Sequence, residues 1–359
     1  MTQVDAQQSG EPHDAESRSG SAAKTRAIIV WAAIGVLFLA AAASAVGSLE
    51  RTVYGARGVV NEYFDALQRG DAAAALEVPG VALDAAGLQA AGLPENASTA
   101  MLRRDVMPDP TEVQFVSDTV DAKGVHEVTY SYELDGTAGQ TTFRLTKVGG
   151  LFGHWEFVTS PLAAVNLTVK HSSVFEMNGF ALDTRQVSEK GAKAHFENIA
   201  NILVFTPGSY TFKTDTDFVV SEDKRVFADA PANVEEASLD AEPTDALVDA
   251  VQKQFDAQLD ACAKQVVLQP TGCPFGYHVS DRVSGQPAWS IGSYPDITLT
   301  PGSDSWLIPA VDGVATIDVD IQSLADGSVR NVSDSVPFTA SGAVYLFSDG
   351  TLTTQLLTE

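Results

Sequence analysis

The sequence of 359 residues is poor in cysteine, methionine and cationic side chains. It has two Cys, four Met and 22 Lys+Arg against 47 Asp+Glu, a formal net charge of −25. Each shortage excludes something. Phosphate backbones are held by clustered cations, so no nucleic-acid partner is expected. Two cysteines without a Cys-x-x-Cys motif, and with His278 as the only adjacent histidine, fall short of a structural zinc site. H-E-x-x-H, G-x-S-x-G, Walker and dinucleotide motifs are missing, and the six histidines are scattered at 13, 126, 154, 171, 195 and 278. No cofactor, no metal and no catalytic residue set is expected. What is present, 45% hydrophobic and 19% charged residues, is ordinary for folded protein and excludes collagen, coiled coil and wholesale disorder.

The longest apolar run is Ala27 to Val46, 20 residues without a charge. At ~1.5 Å per residue a helix of that length spans ~30 Å of hydrocarbon, so a transmembrane helix over 27–47 is expected, with the lipid bilayer as its partner. Ala43-Ser44-Ala45 fits a signal-peptidase site, which leaves secretion after cleavage following Ala45 as an alternative. The apolar core exceeds the usual ~7–15 residues of a signal peptide, which favours an uncleaved anchor. Lys24 and Arg26 directly before the run favour a cytoplasmic N-terminus and extracellular C-terminal domains. Residues 1–26 carry almost no large apolar side chains and read as a disordered cytoplasmic tail. Three of the cations and four of the acids lie in that tail, leaving 19 against 43 beyond it, a net −24.

Past the membrane run, Val59, Val60, Tyr63, Phe64 and Leu67 share one face of a 3.6-residue period. Gly70 supplies a stop, Asp71 can cap a second short helix through Leu76, and a third is placed after Ser98. The period then becomes two. Strands are expected at Glu112–Asp121, Val125–Leu134, Thr141–Lys147 and Leu151–Thr159, separated by Gly-containing turns. The VVNEYFDALQRGDAAAAL opening, the four-strand meander and the closing LFGHWEF strand resemble the nuclear transport factor 2-like (cystatin-like cone) fold of extracytoplasmic bacterial domains. The resemblance covers Glu50 to Pro161 and implies a curved sheet wrapped on a helix around a cone-shaped pocket.

Residues 162–227 read as a small β-rich module with an Asn178-Gly179 hairpin turn and a Pro207-Gly208 turn. VKHSSVFEMNG and TPGSYTFKT resemble β-sandwich repeats of the PEGA type. Residues 228–243, with five acids and two prolines, read as a linker. In 244–359, Thr244 can cap a helix whose apolar stripe is Leu247, Val251, Phe255, Leu259, Cys262 and Val266. Strongly alternating strands come after it. Cys262 and Cys273 are expected to bridge the helix end to the first strand of that sheet, with two free buried thiols or a metal site as the alternatives. The order of helix, Cys, Pro-x-Gly-Cys-Pro-Phe and Trp-bearing strands resembles actinobacterial membrane-anchored envelope proteins.

For chemistry, His126, Tyr130 and Tyr132 share a strand face with Val128 and Leu134. If that face lined a cone it would place an imidazole and two phenols in a pocket, suiting a ligand-binding sensor or an acid/base enzyme within 48–161. Ser221 to Lys224 spells S-x-x-K without the companion motifs of penicillin-interacting enzymes. Asp318 and Asp320 alternate with Ile and Val and read as a solvated strand face. Trp155, Trp289, Trp306, Tyr294 and Phe275 could form a stacking surface, although core packing is the commoner fate of such rings. The expected fold class is α+β: one transmembrane helix, a cone-like domain (48–161), a small β-sandwich-like module, the linker and a second cone-like domain. The leading expectation for function is a non-enzymatic, membrane-anchored interaction or scaffold protein of the bacterial envelope, binding other envelope proteins or cell-wall components.

Overall fold

Turn chemistry and apolar spacing account for most of the element order in the computed structural model, which describes residues 55–150, 153–193, 196–347 and 349–357. The tail at 1–26 and the apolar run at 27–47 lie outside the described residues. Among the described residues no helix is long and apolar enough to cross a membrane. Both helices and strands are present, so the chain is α+β.

Helix α1 (Ala56–Gln68) buries Val60, Tyr63, Phe64 and Leu67, the stripe its periodicity marks. It stops at Gly70, whose φ of +63° suits a residue without a Cβ. Asp71 then caps α2 (Ala72–Glu77) by accepting the Ala74 N–H at 3.1 Å. The third helix is not after Ser98. It is α3 (Ala85–Ala91), capped by Asp84 and ended by Gly92 in the left-handed region. Ser98 instead bridges Ile202, and only a 3-10 turn (Arg104–Val106) comes after it. An Asp cap ahead of an Ala-rich segment and a Gly behind it outweigh the serine signal.

Strands β1 (Thr111–Val120), β2 (His126–Leu134), β3 (Thr137–Val148) and β4 (His154–Phe157) form an antiparallel sheet in sequence order. Asp135 and Gly136, both at positive φ, make the two-residue turn between β2 and β3. Val128, Tyr130, Tyr132 and Leu134 are buried on one face.

The middle region holds two sheets around one core. One is β11 (Lys224–Ala228), β9 (Gly208–Lys213), β6 (Val174–Met177) and β7 (Phe180–Asp183), in that order. The other is β12 (Val234–Asp240), β5 (Leu162–Lys170) and β8 (Glu197–Phe205). The expected linker at 228–243 is therefore corrected. Seven of its sixteen residues are β12, which pairs in parallel with β5 from Val234↔Ala164 to Asp240↔Lys170. Ala237, Leu239 and Ala241 point inward while Glu236 and Asp240 face solvent, so these two of the acids that suggested a linker are the wet side of a strand. The middle module accordingly runs past 227. Strand β10 (Val219–Val220) pairs with β13 (Glu242–Pro243), leading into the last helix.

Helix α4 (Asp245–Ala263) is capped by Thr244, whose side chain accepts the Leu247 N–H. It buries Leu247, Val251, Phe255, Leu259 and Cys262 as the spacing requires. The stripe ends there, because Val266 lies past the helix end and is 52% exposed. Behind α4 stands a six-stranded sheet dominated by the hairpin of β17 (Trp306–Gln322) and β18 (Val329–Leu346), with β19 (Leu352–Leu357) on one edge. The short strands β14 (Arg282–Val283), β15 (Ala288–Ser293) and β16 (Thr300–Pro301) pair with β17 on the other side. Cys262 and Cys273 stand with sulfurs 2.00 Å apart and Cα atoms 5.7 Å apart. The Gln265 side chain braces the enclosed loop, with Oε1 accepting the Thr271 N–H at 2.9 Å and Nε2 donating to the Thr271 carbonyl at 3.1 Å.

Residues 60–359 form one compact unit. Tyr63 shows how its parts share a core: its hydroxyl lies 2.8 Å from the Thr206 carbonyl and 3.0 Å from that of Pro161. Burial pushes its pKa well up, so this phenol stays a donor.

Candidate functional site

The face expected to line a cone is filled. Phe64 sits 5.2 Å from Tyr130 and 5.7 Å from Phe143, and Tyr63 lies 5.7 Å from Phe157, ring centre to ring centre. These rings cover the buried face of the meander, and all are at most 4% exposed. Tyr130 donates to Asn61 Oδ1. Tyr132 donates to Thr141 Oγ1 at 2.8 Å, and Thr141 passes its own proton to the Asp229 carbonyl at 2.5 Å. Burial raises the Tyr132 pKa, with the Thr141 hydrogen bond opposing. Gly139 is required beside it, since a Cβ there would stand 2.6 Å from the Tyr132 ring. His126 belongs to the sheet end and not to a pocket floor. Its Nδ1 is 2.8 Å from Asp118 Oδ1, and its ring meets Trp155 edge-on at 4.6 Å. The expectation of His126, Tyr130 and Tyr132 around an open cone is thus corrected: α1 contributes two aromatic rings where a ligand would sit.

The other sequence candidates are also placed. Ser221 Oγ accepts the Thr214 N–H at 2.8 Å and donates to the Glu222 carbonyl at 3.1 Å, so it shapes a turn before β11. Asp318 and Asp320 are exposed on β17, Asp320 accepting from Asn331 at 3.0 Å. Among the described residues no group of His, Cys, Asp and Glu is arranged to hold a metal. The aromatics do not form one surface. Trp289 and Phe275 stack at 4.9 Å in the core, with Trp289 Nε1 donating to the Val267 carbonyl. Tyr294 is exposed and donates to Asp260 at 2.5 Å, which lifts its pKa to about 12.

Trp306 is different, because it leads to a cleft that sequence reasoning missed. A hollow of about 330 Å³ opens where the turn after β5, the segment before β10 and the end of β18 meet. Its wall is a cluster of rings: His171 lies 4.9 Å from Phe196 and 5.4 Å from Trp306, and Phe196 meets Trp306 edge-on at 5.6 Å. His171 adopts φ +61° and is fixed by Asp240 Oδ1, 2.7 Å from its Nδ1. The Trp306 indole N–H is buried and has no hydrogen-bond partner among the described residues. Phe196, Leu346 and Phe347 also line a second, outer groove of about 630 Å³. There Tyr345 and Phe347 are 40% and 49% exposed, beside Lys190, Lys193, Glu197 and Asp304.

His171 and Asp240 pair as an imidazole and its orienting carboxylate do, with Asp240 65% exposed, and among the described residues no hydroxyl is hydrogen-bonded to the imidazole. The nearby Ser172 and Thr216 hydroxyls are engaged with the backbone of Val174 and Val219. The cleft offers surface for binding. Its residues come from well separated stretches, among them 171–174, 196–197, 216–219, 303–306 and 345–347, and no local spacing marks them. The exposed Tyr-x-Phe pair at 345 and 347 was the one available signal. The chain matches no family model, no curated protein and no solved structure.

Proposed function

We propose that the chain is a single-pass, membrane-anchored extracytoplasmic interaction protein of a bacterial envelope, tethered through residues 27–47, and that it binds rather than transforms its partner. The observation carrying the reading is the cleft, where exposed Tyr345 and Phe347 stand beside charged groups with no activated nucleophile among the described residues. The apolar run at 27–46 supports the tether. The Cys262–Cys273 pair at bonding distance fits an oxidising compartment. The order of helices then a four-strand meander supports a nuclear transport factor 2-like domain, and the two-sheet middle core supports a PEGA-like module. Envelope proteins and cell-wall components are the partners this reading offers the cleft.

Fractionation tests it. The full-length chain should pellet with membranes through a carbonate wash, and neither cysteine should be alkylated without reductant. Recovery in the cytosol with two reactive thiols would sink the reading. The second reading, a secreted protein, rests on Ala43-Ser44-Ala45, and the mass of the mature N-terminus separates the two.

A further inference from the structure

The outer groove states its ligand chemistry through its charge balance. Among the described residues that line it, Lys190 and Lys193 are balanced by Glu197 and Asp304, in a protein of net charge −25. Lys190 is already committed, donating from Nζ to the Glu197 carbonyl at 2.7 Å. A phosphate or carboxylate ligand would face two carboxylates and the field of the whole chain. An acyl chain would strip water from charged groups without offering them a hydrogen bond. A hydroxyl-rich ligand meets neither penalty, because each hydroxyl both donates and accepts and can serve an ammonium or a carboxylate alike.

The rings complete the pattern. Tyr345 and Phe347 line the groove at 40% and 49% exposure, whereas Trp306 in the neighbouring hollow is 2% exposed. Exposed aromatic faces flanked by balanced polar groups fit a ligand with apolar faces and a polar rim, as a pyranose has. We infer that this groove is a glycan-binding site, holding sugar rings against Tyr345 and Phe347 with their hydroxyls on Lys193, Glu197 and Asp304. Phe347, shared by the two hollows, marks the path inward toward Trp306. The inference rests on the reading of an extracytoplasmic interaction protein and names its partner class, a neutral polysaccharide.

Isothermal titration of the full-length chain in a non-glycosidic detergent tests it, using cellotetraose, chitotetraose and mannotetraose, with decanoate and inorganic phosphate as rivals. At least one oligosaccharide should bind. Tyr345→Ala and Phe347→Ala should each weaken it by about fivefold or more, the scale of one aromatic contact, while Tyr345→Phe retains it. Should Tyr345→Ala fail to fold, Phe347→Ala, beyond the strand end, carries the test. Absence of binding by all three sugars overturns the inference, as does sugar binding unchanged in the double variant or binding of decanoate or phosphate alone. A chain that pellets with membranes yet binds no sugar loses the glycan and keeps the tether. One that binds sugar from the cytosol loses only the tether.

Discussion

The N-terminal and C-terminal sheets are both antiparallel and both carry one helix, yet the first packs aromatic rings against its helix while the second ends at the hollow beside Trp306 and Leu346. Lengths and ring content differ between them. Helix α1 is about 20 Å long against strands of about 30–40 Å, and Tyr63 and Phe64 extend its reach. Helix α4 is about 28 Å long against a hairpin of nearly 60 Å, and its buried stripe is mostly aliphatic. A helix rises less than half as fast per residue as a strand, so α4 cannot cover β17 and β18 end to end. The end left bare is at Val329, 56% exposed, beside Leu324 at 72%, whereas the cleft lies at the Trp306 and Leu346 end, where residues 171–174 and 216–219 form its other wall. Resemblance between two helix-on-sheet units therefore says little about which one is open.

The sharpest way to break this comparison is to empty the closed sheet. Phe64→Ala should cost about 3–5 kcal/mol and leave an apolar cavity, so its lowered melting temperature should rise again with benzene. An unchanged melting curve would mean the buried face is not packed as described. Next, Cys262→Ser with Cys273→Ser should lose about 3 kcal/mol, with hydrogen exchange rising around α4 and not in β1–β4. Equal deprotection in both sheets would show that they unfold as one. Thr244→Ala should cost about 1 kcal/mol, read by chemical denaturation, because it frees the first turn of α4 and the Asp217 carbonyl it holds at 2.7 Å. His126→Ala should cost about 1 kcal/mol or less, as expected of a contact with Asp118 whose two side chains are 25% and 30% exposed. A larger loss would restore His126 to a buried role.

The smallest effect is a titration. Asp260 lifts Tyr294 to about 12 from an ordinary value of about 10. A raised folded-state pKa means the Tyr294–Asp260 bond contributes fully below about pH 10 and is lost as pH climbs through about 12. Phenolate absorbance, taken as the difference from Tyr294→Phe, should show the late titration, and Asp260→Asn should return it toward 10.

Much of the architecture was legible from local pattern. The α1 stripe, the Asp71 and Thr244 caps, the Asp135-Gly136 and Asn178-Gly179 turns and the buried Cys262 all arise from spacing and turn chemistry acting over a few residues. Misplacement of the third helix came from the same kind of signal, read at Ser98 in place of Asp84. The linker failed for another reason. Strand β12 is held by β5, some seventy residues earlier, and a parallel partner at that distance leaves no mark in an acidic, proline-flanked segment except the alternation of Ala237, Leu239 and Ala241.

The candidate site divides along the same line. Sequence alone determined that His126, Tyr130 and Tyr132 share a face, that Asp318 and Asp320 are wet and that the two cysteines are near enough to pair. Whether a shared face is a pocket or a core depends on what an opposing element inserts, and only the tertiary structure decided that. It filled the first sheet with Tyr63 and Phe64, and it gathered His171, Phe196, Trp306 and Phe347 from distant stretches. Periodicity is a property of neighbours along the chain. A cleft is a failure of distant surfaces to meet, and no neighbour records it.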